Sequence, residues 1–179
     1  MRFGARGPSL GAVVLLALLV LALLRGCDDN GDDGSQNGAG ATPAGEEATG
    51  EVVDVTDGDT IEVSLGGEVE DVRYIGVDTP EVDPNIGVEC FGKQASELNA
   101  ELVEGERVRL VFDAERRDKY GRLLAYVYVG ETFVNAELVR RGYARTLAIE
   151  PNDTFAERFA RLAQQAANAG RGLWGVCEP

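Results

Sequence analysis

Residues 51–77, EVVDVTDGDTIEVSLGGEVEDVRYIGV, carry the clearest signal of the fold class. Segments 51–56 and 60–65 are rich in valine, isoleucine and threonine and flank Asp57-Gly58, a dipeptide typical of hairpin turns. Apolar and polar residues alternate in the second segment, which indicates a strand with one buried face. Gly66-Gly67 then makes a second turn into segment 69–77. The stretch therefore predicts a meander of three antiparallel strands.

Downstream, the spacing of apolar residues predicts two more strands and three helices: helix 89–103, strands 107–112 and 123–129, and helices 135–141 and 155–169. Thr154 stands just before the last helix, and Glu157 follows it as in a capping box that closes a helix N-terminus. Strands first and terminal helices afterwards are typical of an α+β fold that is mainly β. We expect a five-stranded closed barrel of the OB type with three helices.

The front of the chain has the pattern of an export signal. Two early arginines precede an apolar run, residues 10–24, which matches a signal-peptide core and is shorter than the roughly 20 residues of a comfortable membrane span. Cys27 ends Arg25-Gly26-Cys27, which resembles a bacterial lipoprotein cleavage box except at its arginine. Residues 1–27 therefore fit three alternatives: a cleaved signal peptide, a lipoprotein signal with lipid on Cys27, or an uncleaved membrane anchor. All three predict an exported protein that is extracellular or anchored at the cell surface.

Residues 28–49 contain no large apolar side chain and several acids, so this stretch buries too little surface to offset the entropy of ordering. We expect a disordered acidic linker there and one folded domain over residues 50–179. Two cysteines fall in that domain, Cys90 and Cys177. In an exported protein such a pair is usually a disulfide, and the alternative is two buried thiols.

Histidine is absent from the whole sequence. Its absence excludes imidazole general bases, imidazole metal ligands and Ser-His or Cys-His nucleophile pairs. The chain has 31 acidic and 17 basic residues and a formal charge of −14, although basic residues cluster locally between positions 107 and 122. The acidity fits either a generally solvated surface or adaptation to high salt, where repulsion of a polyanion is screened. The chemistry that remains uses carboxylates, arginines and a hard metal ion. Few enzyme classes work with these groups alone, and nucleases are prominent among them.

Three motifs supply such groups: Asp57-Gly58-Asp59-Thr60, the segment 73–81, and Asp118-Lys119-Tyr120-Gly121-Arg122. Each motif alone is most often a turn or a solvated strand edge. Together, Asp59 and Asp78 at the ends of neighbouring strands, with a turn carbonyl between them, supply the oxygen ligands that Ca²⁺ prefers. Glu81 is placed to hold or deprotonate a water beside the ion. Arg73 and Arg122 can each grip a phosphate with two hydrogen bonds.

These motifs, in order and correctly spaced, resemble the thermonuclease, or staphylococcal-nuclease-like, family, and the chain looks like an exported bacterial or archaeal member. The resemblance runs from about Val53 to Trp174 and includes NAELVRRG at 135–142 and the closing Gly172-Leu173-Trp174. It implies a calcium-dependent nuclease that hydrolyses phosphodiester bonds of DNA and RNA and leaves 3′-phosphates.

The resemblance also implies a role for each matching residue. The roles are calcium binding by Asp59, Asp78 and the Thr79 carbonyl, grip on the scissile phosphate by Arg73 and Arg122, proton transfer by Glu81, and contact with a terminal phosphate of the nucleotide by Lys119 and Tyr120. Where the family's best-known member stacks tyrosines on the base, this chain has Leu147 and Ile149. We therefore expect weaker nucleotide binding or a differently shaped base pocket.

Two alternatives from other classes stay open. One is a non-catalytic OB-fold module that binds nucleic acid or a protein partner, since a fold does not dictate a function. The other is a calcium-binding or structural lipoprotein at the surface. The complete set of acids and arginines favours an enzyme, which we expect to be a monomer.

Overall fold

The computed structural model describes residues 45–83 and 87–177. The predicted export signal over residues 1–27, its Cys27, and the predicted linker as far as residue 44 lie outside the described residues. Among the helices that are described, none has both the length and the hydropathy needed to cross a membrane. The predictions for the front of the chain therefore stay predictions.

The described residues form ten strands and four helices. The strands are β1 (Glu47–Val55), β2 (Thr60–Leu65), β3 (Glu68–Tyr74), β4 (Gly76–Asp78), β5 (Val82–Asp83), β6 (Gly87–Val88), β7 (Arg107–Val111), β8 (Leu123–Val129), β9 (Thr132–Phe133) and β10 (Arg145–Leu147). The helices are α1 (Gly92–Val103), α2 (Val134–Arg141), α3 (Ala156–Asn168) and α4 (Leu173–Val176).

Five of these strands close into a barrel. β1 pairs antiparallel with both β2 and β7, β2 pairs with β3, and β7 pairs with β8. β8 then pairs in parallel with β3, which closes the sheet on itself. This arrangement is the predicted mainly β, OB-type barrel of five strands with three helices, and α4 adds a single helical turn. The fold prediction is confirmed.

The first strand is bent so that it serves two neighbours. Its first half pairs with β7, from Glu47 opposite Val111, and its second half pairs with β2. Between the two halves the register slips at Val53, which makes a β-bulge. A bulge bends a strand and increases its twist, so β1 can turn from one side of the barrel to the other. β1 begins at Glu47, before the predicted start at residue 51, because its early residues find partners far along the sequence.

Two helix starts differ from their predictions. α1 begins at Gly92, and Phe91 before it adopts a left-handed conformation with φ of 73°. The prediction that Thr154 caps α3 is wrong, because the residue before that helix is Phe155 and makes no side-chain cap. Thr154 instead donates its hydroxyl to Asp113 Oδ1 at 3.1 Å and its N–H to Asp113 Oδ2 at 3.3 Å. Thr154 therefore bonds to a residue that is distant in the sequence and does not cap the helix.

One continuous cluster of buried apolar residues links the barrel to α2 and α3. The following members, from barrel and helices, are at most 2% exposed: Ile61, Val72, Leu110, Leu123, Leu138 and Phe159. Fully burying such a side chain stabilises the fold by about 1.5–3 kcal/mol. The core therefore holds the helices against the barrel and fixes the strand ends from which the site is built.

Asn135 is the polar joint between α2 and the barrel. It is fully buried, accepts a hydrogen bond from the Val127 N–H at 2.9 Å and donates to the Ile75 carbonyl at 2.9 Å. Val127 lies in β8, and Ile75 lies between β3 and β4. The amide thus satisfies two buried backbone groups that would otherwise lack partners.

We expect Asn135→Ala to lower the free energy of unfolding by about 2–4 kcal/mol, because each orphaned buried group costs about 1–3 kcal/mol. Urea denaturation of the variant and the parent measures the difference. Asn168→Ala, at an exposed position at the end of α3, is the matched control and should change stability by less than about 0.5 kcal/mol. Equal losses in the two variants would contradict the assignment.

Candidate active site

The topology of the barrel brings three distant parts of the sequence to one end. Asp59 immediately precedes β2, Arg73 lies near the end of β3, and Arg122 immediately precedes β8. β3 lies between the other two strands, since Arg73 pairs with Thr60 on one side and with Leu124 on the other. The closing parallel pair therefore places both arginine-bearing segments side by side.

A buried ion cluster lies at the centre of this end. Asp59 is only 3% exposed, and its Oδ2 accepts hydrogen bonds from the Thr79 N–H at 2.7 Å and the Thr79 hydroxyl at 3.0 Å. Its Oδ1 forms an ion pair with Nη1 of Arg73. Nη2 of Arg73 donates to Asp78 Oδ1 at 2.9 Å. The two carboxylates predicted to bind calcium thus share one guanidinium.

The donor set fits a hard cation. The two carboxylates converge on one positive group, and Thr79, which directly follows Asp78 and bonds to Asp59, adds a backbone carbonyl as a third oxygen donor. Within residues 45–83 and 87–177, no cluster of three or more ligand side chains forms a ready metal cage. A metal ion held by these two carboxylates would need further oxygen donors, such as backbone carbonyls and water.

Further negative charge surrounds the cluster. Burial raises the pKa of Asp57, and Arg73 opposes that effect. Burial also raises the pKa of Glu81, and the charges of Asp57, Asp78 and Glu89 add to the increase against Arg73. The Glu81 side chain is exposed, and its carboxylate lies close enough to these charges for them to change its pKa. The local excess of carboxylates favours the binding of a cation.

The turn that presents Asp59 is fixed from two sides. Asp57 Oδ1 accepts the Asp59 N–H at 2.9 Å, and the Asp57 carbonyl accepts a hydrogen bond from Asn99 Nδ2 at 2.8 Å. Asn99 is fully buried in α1 and receives the Tyr74 hydroxyl at 2.8 Å. A Cβ at Gly58 would lie 2.6–2.8 Å from three side-chain atoms of Thr79, so only glycine fits there. Asn99 is not among the predicted site residues, and its only signal in the sequence is that it is a polar residue on the buried face of a predicted helix.

Asp118 holds the second arginine. Its Oδ2 accepts the Nε–H of Arg122 at 2.8 Å, and its Oδ1 accepts the backbone N–H groups of Tyr120 at 2.9 Å and Arg122 at 3.0 Å. Although burial raises the pKa of Asp118, these hydrogen bonds and the charge of Arg122 outweigh it and bring the pKa below its ordinary value. Among the described residues, Arg122 is bonded through its Nε and its backbone N–H and not through its Nη atoms, so the Nη atoms can serve a ligand.

A cavity of about 420 Å³ connects the two arginines to a partly apolar wall. Its lining includes Arg73 and Arg122, the predicted substrate contacts Lys119 and Tyr120, and the aliphatic residues Leu147 and Ile149. The Tyr120 ring is 73% exposed and lies between two cations, with Lys119 Nζ 4.9 Å and Arg122 Cζ 5.6 Å from its centre. The volume falls in the range of about 300–1,000 Å³ that is typical of small-molecule sites. A cavity with cations beside an apolar wall is suited to a nucleotide, which has a charged phosphate and a flat base with apolar faces.

The other predicted site residues lie as follows. Cys90 and Cys177 are joined in a disulfide beside a second cavity of about 330 Å³ that Asp78 and Thr79 also line. Cys27 lies outside the described residues. The residues predicted to bind calcium, to bind phosphate and to transfer a proton lie at one end of the barrel. The predicted lipidation site is the one predicted site that the described residues do not include.

This chain matches one family model and is similar to several known proteins. The family model of the staphylococcal nuclease homologues matches residues 71–176, which include Arg73, Asp78, Glu81 and Arg122. A thermonuclease of Staphylococcus hyicus is 36% identical over 92% of this chain and 95% of its own length. A thermonuclease of Staphylococcus intermedius is 42% identical over 67% of this chain and 72% of its own length.

A third relative is longer than the shared region. The SPbeta prophage-derived endonuclease YokF of Bacillus subtilis is 45% identical over 69% of this chain, and the match spans only 45% of that protein. The family model covers more than half of the present chain, and the Staphylococcus hyicus protein matches it over nearly its full length. The chain therefore belongs to the staphylococcal nuclease homologue family.

Proposed function

We propose that this chain is a calcium-dependent nuclease that hydrolyses phosphodiester bonds of DNA and RNA and leaves 3′-phosphates. The observation that carries the proposal is the ion cluster of Asp59, Asp78 and Arg73, next to a cavity of about 420 Å³ that Arg73 lines together with Arg122. The relatives named above as thermonucleases and an endonuclease support the same reaction class. These residues lie far apart in the sequence and come to one end of the barrel, which supports a shared chemical role.

Asp59, Asp78 and the Thr79 carbonyl would hold the calcium ion. When bound, this ion supplies a Lewis acid that polarises the phosphodiester and stabilises charge on its non-bridging oxygens. Arg73 and Arg122 donate hydrogen bonds to the same oxygens. Because negative charge on those oxygens grows toward the transition state, both guanidiniums stabilise that state more than the ground state.

Glu81 is the proposed general base. Its carboxylate accepts a proton from a water molecule, and the water oxygen forms a new bond to phosphorus. The bond from phosphorus to the 5′ oxygen breaks, and the departing oxygen takes up a proton and becomes a 5′-hydroxyl. The other product carries the 3′-phosphate. Lys119 and Tyr120, on the wall of the same cavity, contact the terminal phosphate of the bound nucleotide.

The cellular setting is part of the same proposal. The apolar run at residues 10–24 and the Cys90–Cys177 disulfide both support an exported, extracellular or surface-anchored enzyme. We propose that it works as a monomer. The alternative, a non-catalytic OB-fold binding module, predicts the same barrel and the same cavity without cleavage, so activity assays separate the two.

We expect the full chain to digest DNA when Ca²⁺ is present and to stop when a chelator such as EGTA removes it. Glu81→Gln should lower kcat by about 10²- to 10⁴-fold, because the amide cannot accept the proton. Glu97→Gln, at an exposed position on α1, is the matched control and should leave the rate unchanged. Undiminished digestion in EGTA would remove calcium from the account, and an unaffected Glu81→Gln variant would remove the general base.

We expect Arg122→Ala to lower kcat by about 100- to 1,000-fold, the usual cost of losing one preorganised donor to a developing negative charge. Steady-state kinetics on a short DNA substrate give the value, and circular dichroism checks that the fold is retained. Arg161→Ala, on an exposed part of α3, changes the net charge equally and should have no such effect. If the two variants lost activity alike, the arginine would act only through long-range charge.

A further inference from the structure

Glu89 holds the backbone of Glu81 at two points. The Glu89 N–H donates to the Glu81 carbonyl at 3.0 Å, and the Glu81 N–H donates to Glu89 Oε2 at 3.1 Å. The same two residues are thus joined twice, once through the Glu89 main chain and once through its carboxylate. A backbone held at both its N–H and its carbonyl cannot rotate without breaking one of these bonds, so Glu89 limits where the Glu81 carboxylate points.

The first residue of α1 packs closely against the backbone of Pro80 and Glu81. A Cβ at Gly92 would lie 2.6 Å from the Glu81 carbonyl oxygen and 3.0 Å from the Pro80 carbonyl oxygen. The Gly92 N–H also donates to the Glu89 carbonyl at 3.0 Å. Glu81, Glu89 and the first residue of α1 therefore form one packed backbone unit beside Asp78.

The disulfide fastens this unit to the far end of the chain. Cys90 directly follows Glu89 and is bonded to Cys177, which follows α4. α4 is itself fixed, because Leu173 is 1% exposed and its N–H donates to the Gly142 carbonyl at 2.9 Å. Residue 90 is therefore anchored to the body of the domain by a covalent bond 87 residues away in sequence.

We propose that Glu89 is a positioning residue for the general base and that the Cys90–Cys177 disulfide holds Glu89 in place. The inference rests on the proposed nuclease function and adds a dependence on redox state. A dithiol reductant donates two electrons and two protons to the disulfide, giving two cysteine thiols, and is itself oxidised to a cyclic disulfide. Reduction releases residue 90, loosens Glu81 and slows turnover, so the enzyme is fully active only in an oxidising compartment.

The test compares Glu89→Ala, Glu89→Gln and the control Glu97→Ala in the full chain. Glu89→Ala removes the acceptor of the Glu81 N–H and should lower kcat about tenfold, since small misplacements of a catalytic group reduce the rate strongly. KM and the thermal midpoint should not change. Glu89→Gln keeps an acceptor oxygen and should restore most of kcat, whereas Glu97→Ala should match the parent.

The disulfide is tested by dithiothreitol on the parent and by the double variant Cys90→Ser with Cys177→Ser. Both should lower kcat about fivefold at a temperature where circular dichroism shows a folded protein, and reoxidation should restore the reduced parent. Because Glu89 and the disulfide act through one segment, combining Glu89→Ala with the double variant should cost less than the product of the separate losses.

Several results would overturn the inference. An unchanged kcat in Glu89→Ala, or an equal loss in Glu89→Gln, would show that Glu89 does not position Glu81 through this contact. Fully multiplicative effects in the combined variant would show that the disulfide does not act through Glu89. A parent chain that cleaves no nucleic acid with calcium present would instead overturn the proposed function, and the inference with it. The two failures are therefore distinguishable.

Discussion

The guanidinium of Arg73, shared between Asp59 and Asp78, is the interaction around which this end of the barrel is organised. Asp59 is a buried carboxylate, and a buried charge is tolerated only when opposite charge and hydrogen bonds replace water. Thr79 supplies two such hydrogen bonds and Arg73 supplies the charge. The need to satisfy one carboxylate thus fixes the ends of β2, β3 and β4 relative to each other.

The same cluster explains how a single place could serve both a metal ion and a phosphate. In the proposed mechanism a divalent cation would compete with Arg73 for the two carboxylates, and a guanidinium that lost a carboxylate partner would gain capacity for a phosphate. Arg122 would not compete, because it is held through its Nε and its backbone N–H by Asp118, outside the pair of Asp59 and Asp78. In this proposal Arg73 would change its partners when a metal ion binds, whereas Arg122 would keep its bond to Asp118.

Long-range attraction of nucleic acid contributes little to this arrangement. The basic residues between positions 107 and 122 form a cluster in the sequence, but four of them are paired in the fold: Arg122 pairs with Asp118, and three others pair with acids outside the cluster. Arg109 pairs with Glu47 at 3.0 Å, Arg117 pairs with Glu70 at 2.7 Å, and Arg116 pairs with Glu46. Among residues 107–122, Lys119 and Arg122 are the two that line the 420 Å³ cavity as cations. Specific contacts near the phosphate, rather than overall charge, must carry substrate binding.

The sequence predicted what local patterns and motif spacing determine. The alternating strands, the Asp57-Gly58 turn and the order of elements predicted the closed barrel, and the motifs predicted which residues meet. It did not predict contacts between distant residues. The start of β1 at Glu47, the bond of Thr154 to Asp113 in place of a helix cap, and the clamp of Asn99 on Asp57 all depend on partners that no local pattern identifies.

The most direct test of the shared cation site is the stability of Arg73→Ala with and without calcium. In EGTA, the variant leaves the buried Asp59 charge without its partner, and the free energy of unfolding should fall by about 3 kcal/mol. Calcium at about 100 times its dissociation constant should return about 2.7 kcal/mol of this loss. Urea denaturation under the two conditions measures both numbers. A variant that stays destabilised at saturating calcium, or that loses no stability in EGTA, would contradict the account.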